Sequence, residues 1–68
     1  MEEKLDGKYR KNVHIGDTVE VVQKQHQRSG ERTEGIVSRL LTKSPNHPHG
    51  IKVQLKSGEV GRVKWVLQ

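Results

Sequence analysis

The sequence has no cysteine and no phenylalanine. The first absence removes disulfide staples, thiolate metal sites and thiol nucleophiles. The second leaves one tyrosine and one tryptophan, so aromatic residues make up 3% of the chain. Two rings do not build a cage around a methylated cation, and they are a poor platform for stacked bases. Hydrophobic residues amount to 29%, and no run approaches the ~20 apolar residues that span a bilayer as a helix. The opening stretch, Met1-Glu2-Glu3-Lys4-Leu5-Asp6, is charged from its second residue and has no apolar h-region, so it does not read as a signal peptide. A soluble cytoplasmic protein is expected. Catalytic patterns are missing as well. Ser29, Ser38, Ser44 and Ser57 have no elbow or triad context, the glycines form no phosphate-cradling loop, and the acidic residues show no paired arrangement. No enzymatic activity, no cofactor and no membrane partner are expected.

What is present is one small domain of 68 residues. A chain of this size buries only about 60% of the surface that its unfolded form exposes, so its stability is marginal. Thirteen Lys and Arg against 8 Asp and Glu give a formal charge of +5. Such a surplus attracts phosphate polyanions, because each neutralised phosphate releases condensed counterions.

Residues 1–12 carry four basic and three acidic side chains without strand or helix period, and read as a flexible arm. Within it, Lys8-Tyr9-Arg10-Lys11 suits a polyanion contact or a merely solubilising role. The domain proper spans 13–68. Gly16-Asp17 is a turn signal ahead of a strand over 17–25, with Val19 and Val21 on one face and Val22 on the other. His26 to Arg32 is a polar loop with a Ser29-Gly30 turn. A second strand runs from Thr33 to about Thr42, with Gly35 marking a bulge or close approach. Its Ile36-Val37 and Leu40-Leu41 pairs place apolar side chains on both faces, as in a strongly bent strand. Lys43 to Gly50, with Pro45 and Pro48, is a loop. Ile51, Val53 and Leu55 alternate with Lys52, Gln54 and Lys56 in a third strand. Ser57-Gly58 closes a hairpin onto a fourth strand, Glu59–Val63, in which Gly61 is the candidate bulge. Lys64 to Gln68 is a last turn or strand, and Trp65 reads as a plug in the barrel. Five short strands without a helix argue for an all-β fold, a small SH3-like barrel whose sheet hides its edges by closing on itself. The five-stranded OB barrel is the rival.

Gln27-Arg28-Ser29-Gly30, Thr33-Glu34-Gly35-Ile36-Val37, Leu41-Thr42-Lys43-Ser44 and His47-Pro48-His49-Gly50-Ile51-Lys52-Val53 resemble the YwbE family, as does Leu55 with Gly58-x-Val60-Gly61-Arg62-Val63. The resemblance covers residues 12 to about 66. It is also similar, more diffusely, to KOW and Tudor-type barrels. The family is one of small proteins of unknown function, so the resemblance implies a single compact domain and no activity.

Two constellations remain. His47 and His49 read first as structural, with Pro48 restricting His47 and Gly50 taking a positive φ. Phosphate or base contact is a second use. A metal site would need His14 or His26 to supply a third ligand. The basic residues are the other group. Lys52 and Lys56 leave the outer face of one strand, Arg62 and Lys64 come from its neighbour, and Lys24, Arg28 and Arg32 decorate the first polar loop. Glu31, Glu34 and Glu59 lie near enough in sequence to pair with them and leave a mixed surface. The expected function is a non-catalytic binding module that contacts RNA, or DNA, through Lys24, Arg28, Arg32, His47, His49, Lys52, Lys56, Arg62 and Lys64. The alternative is a protein-interaction module whose 26–32 and 44–50 segments meet an acidic partner surface. A monomer is expected, with Val22 and Ile36 as barrel cover or as a contact between copies.

Overall fold

The computed structural model describes residues 4–67. Five strands carry the fold: β1 Lys4–Asp6, β2 Thr18–Gln23, β3 Thr33–Leu40, β4 Lys52–Leu55 and β5 Val60–Leu67. All pairings are antiparallel, in the order β1-β5-β2-β3-β4, and a further β4–β5 pairing closes the sheet into a barrel. The architecture is the SH3-like barrel expected. Two single-turn 3-10 segments, Arg10–Asn12 and Lys24–His26, are the helical pieces of the described chain.

The core consists of Val13, Val19, Val21, Val37, Ile51, Val53, Leu55, Val63 and Val66, each at most 2% exposed. Eight of these nine are β-branched, the side-chain shape that packs well on a pleated surface. Every residue of the alternating trio Ile51, Val53 and Leu55 is buried, as their period requires.

Two register shifts bend the strands. Val37 pairs with Leu55 and Arg39 with Gln54, so Ser38 is the extra residue in β3. That resets the alternation and lets Val37 and Leu40 both face inward. The second shift lies on β5, where Glu20 pairs with Trp65 but Val21 with Val63. The bulged residue is therefore Lys64, not Gly61, which sits in regular register with Val53. The bulge also overturns the expected role of Trp65. Val63 and Val66 both point inward, which turns Trp65 outward, and the indole is 37% exposed. Gly35 is a close approach, as expected: a Cβ there would lie 2.7 Å from the Leu55 side chain.

The expected flexible arm needs correcting over its described part. Lys4–Asp6 forms an edge strand on β5, with Leu5 opposite Val66. Gly7 then passes so close to the backbone of Val63 that a Cβ would collide with its carbonyl oxygen. Its own carbonyl accepts from Ile51 N at 2.9 Å. Further on, Arg10 N donates to Pro45 O (2.8 Å), His47 N donates to Lys8 O (2.9 Å), and the Arg10 side chain donates to Thr42 O (3.1 Å). Three residues of strand among charges give no sequence period, and their partners lie some sixty positions away. Residues 1–3 of the expected arm lie outside the described residues. The 17–25 strand is shorter than expected, ending at Gln23, and the Thr33–Thr42 strand ends at Leu40. Lys64–Leu67 continues β5 instead of forming a separate element.

Candidate nucleic-acid interface

Arg62 stands at the centre of one outer face. Across β5 it is in register with Val22 of β2 on one side and Lys52 of β4 on the other. Two adjoining hollows, of about 580 and 500 Å³, meet here and share Val22, Gln27 and Arg62. Lys24 and Lys52 line the first, and Arg32, His49 and Lys64 line the second. Six of the nine residues expected from sequence are thus brought together by strand pairing and by the bulge at Lys64.

His47 adjoins them, its ring centroid 5.8 Å from that of His49. The remaining two are placed elsewhere. Arg28 is exposed on the 27–30 turn and lines neither hollow. Lys56 lies beyond the far end of β4, beside the Ser57-Gly58 turn, where its N–H donates to Ile36 O at 2.8 Å. A strand rises about 3.3 Å per residue, so four residues carry Lys56 roughly 13 Å from Lys52.

One acid reaches a cation of this face, and two others are engaged elsewhere. Glu20 holds Arg32 at 3.4 Å, and Glu31 holds His26 at 3.3 Å. Glu59 accepts from the Ser57 hydroxyl. That bond and its own N–H hold its carboxyl below the ordinary carboxylate value. Among the described residues, Lys24, Lys52, Arg62 and Lys64 have no carboxylate partner. The expected competition from Glu31, Glu34 and Glu59 therefore does not reach these four.

The segment 47–50 is a turn closed by Gly50 N donating to His47 O at 3.0 Å. Gly50 has φ +104, and a Cβ would collide with the carbonyl oxygen of Val63. Two bonds fix the turn to its surroundings. His49 N donates to His47 Nδ1 at 3.1 Å, and the Arg62 guanidinium donates to Gly50 O at 3.1 Å. His47 Nδ1 is an acceptor in this arrangement, which requires it to be unprotonated. Partial desolvation, the Arg62 charge and His49, in that order, hold the imidazole below the ordinary histidine value. The structural reading of His47 is thus realised, beside a cationic face. His14 and His26 face Asp17 and Glu31 instead. Among the described residues no three His, Asp or Glu groups converge in metal-binding geometry.

Sequence reasoning did not single out Gln23, Gln25 and Gln27, which line the hollows between the cations. Their alternate spacing was the available signal. Gln23 is fixed by Thr33 Oγ1 at 2.9 Å, and Gln25 donates to Gln23 at 3.1 Å. The face therefore presents cations with neutral amides between them.

A family model described as "Uncharacterized conserved protein (DUF2196)" matches residues 6–66. The chain is 45% identical over 58 residues to the "Uncharacterized protein YwbE" of Bacillus subtilis (strain 168), a match covering 85% of this chain and 89% of that protein. No solved structure matches it.

Proposed function

We propose, for a chain that belongs to the DUF2196 family of uncharacterised conserved proteins, that it is a non-catalytic module binding the phosphates of RNA, and less readily DNA, on the face centred on Arg62. The observation that carries this reading is the direct pairing of Lys52 with Arg62 across two strands, with no carboxylate partner for either among the described residues. Like charges placed opposite one another destabilise a sheet. A bound polyanion would turn that cost into an attraction. Lys24 and Lys64 extend the positive strip, and His49 and the three glutamines supply donors between phosphates. With one exposed indole and one exposed phenol in the domain, phosphate contact outweighs base stacking, so sequence preference is weak. The reading takes the protein as a cytoplasmic monomer. No helix of the described residues is long and apolar enough to cross a membrane.

The test is an amide-shift titration of labelled protein with a short mixed-sequence RNA at several salt concentrations. Shifts should cluster at Gln25, His49, Lys52 and Arg62. The logarithm of affinity should fall by about 0.7 per phosphate contact for each tenfold rise in salt. A folded Lys52→Glu, Arg62→Glu double variant that binds RNA as tightly as the parent overturns the reading.

A further inference from the structure

A hollow of about 710 Å³ lies away from the Arg62 face. It lies where the 9–15 segment crosses the end of β3 and the 43–46 loop. Tyr9, Val13, Ile15, Leu40 and Pro45 give it apolar walls. Val13 is buried and Leu40 packs against the core, so they form its floor. Ile15, in contrast, is 67% exposed, the most exposed of the large hydrophobic side chains described. An isoleucine held open at the rim of a concave site, in a chain so poor in apolar residues, has no folding role in view.

The rim is cationic. Arg10, Lys11 and Lys43 line the hollow and are exposed, and none has a carboxylate partner among the described residues. The Arg10 Nε donates to Thr42 O, which fixes that side chain along the loop. Lys11 stands 5.9 Å from the Tyr9 ring centroid, over its face. No acidic side chain lines the hollow. Asp17, four residues on from Val13, is held by His14 through the ring at 3.4 Å and the backbone N–H at 2.9 Å.

We propose that this hollow is a docking site for an extended acidic segment of a partner protein, one that inserts a single aliphatic side chain. The walls are branched aliphatics and a proline, which suit a Leu or Ile anchor. They suit a nucleobase less, because the tyrosine ring has a lysine over its face and the His14 ring is turned to Asp17. Carboxylates on either side of the anchor would meet Arg10, Lys11 and Lys43. The two hollows around Arg62 share none of these residues, so this site stands or falls independently of nucleic-acid binding.

The test is selection from a displayed library of random 12-residue peptides against the whole chain. The enriched peptides are then measured on variants. Enriched sequences should carry Asp or Glu around one aliphatic residue. Their affinity should fall at least tenfold for Ile15→Ser and for Lys43→Glu, both exposed positions whose replacement spares the core. It should be unchanged for Lys52→Glu, which leaves the Arg62 clamp on the 47–50 turn in place. No enrichment, a consensus lacking either the acids or the aliphatic, binding that survives both rim variants, or loss on Lys52→Glu would each overturn the proposal. So would a short RNA that displaces the peptide by shifting the Ile15 methyl signals.

Discussion

Arg62 lies directly across the β4–β5 ladder from Lys52, and its guanidinium reaches past the strand end to the carbonyl of Gly50 at 3.1 Å. One side chain therefore faces a like charge on its own face and also clamps the 47–50 turn. Separating these two roles is the most direct test of the interface. Lys52→Glu leaves the clamp in place and replaces a repulsive cross-strand pair with an attractive one. It should raise unfolding free energy by about 0.5–1 kcal/mol, which for a domain this small moves Tm up by a few degrees at about 4–8 °C per kcal/mol. RNA affinity should fall in the same variant. Urea melts and binding isotherms on the one protein check both directions, and a variant that is both weaker-binding and less stable would contradict the pairing argument.

Gly50 and Gly58 share a positive φ, +104 and +106, but differ in surroundings. A Cβ at Gly50 collides with the Val63 carbonyl oxygen, whereas nothing lies within 4 Å of one at Gly58. Gly58→Ala should cost backbone strain alone, on the order of 1 kcal/mol. Gly50→Ala adds displacement of a core strand and should cost at least about 3 kcal/mol. Denaturant midpoints of the two variants give the comparison.

His47 sets a pH dependence with a definite sign. Its folded value is lowered, so the unfolded chain binds the proton more readily. Stability is then unaffected above the ordinary histidine value of 6.5 and falls as pH drops below it. Protonation also removes the acceptor for His49 N–H. Unfolding free energy should decline from pH 7 to pH 5, and His47→Gln should flatten that decline. Glu59, whose value is also lowered, adds a separate loss below its ordinary value of 4.5. The measurement is a set of denaturant melts at stepped pH on both proteins.

Trp65 sits in a row across four strands with Asp6, Glu20 and Glu34. That row is acidic and borders the Arg62 face, since Glu20 is two residues from Val22 on β2. The indole fluorescence of Trp65 should be quenched readily by acrylamide. Trp65→Ala should cost about 1–2 kcal/mol, well below the ~3–5 of a buried indole, whereas Leu55→Ala, in the core, should cost about 2–5.

The fold was legible wherever local chemistry decides structure. The Ile51-Val53-Leu55 alternation, the Ser57-Gly58 hairpin and the turn at Gly50 all rest on neighbours in sequence. The bulges at Ser38 and Lys64 were not legible, because either strand alone reads as continuous and only the partner's register reveals the extra residue. The inverted orientation of Trp65 follows from that single unreadable residue. β1 was missed because three residues carry too little pattern, and their stability comes from β5. For the interface, charge named the residue types and strand alternation placed Lys52. Only closure of the barrel shows that Lys24 and Lys52 share a hollow with Arg62 while Lys56 does not.

β5 pairs with β1, β2 and β4. On the ribosome this makes residues 60–67 the keystone that arrives after everything it must lock. Until they emerge, β2, β3 and β4 form an open meander with their valines uncovered, and β1 has no neighbour at all. At about 5–20 residues per second, making those eight residues takes on the order of a second. Non-local β closure then takes roughly milliseconds to seconds. Until β5 has emerged, the valines of β2, β3 and β4 are open to chaperones at the tunnel mouth, and the barrel closes only in a late step.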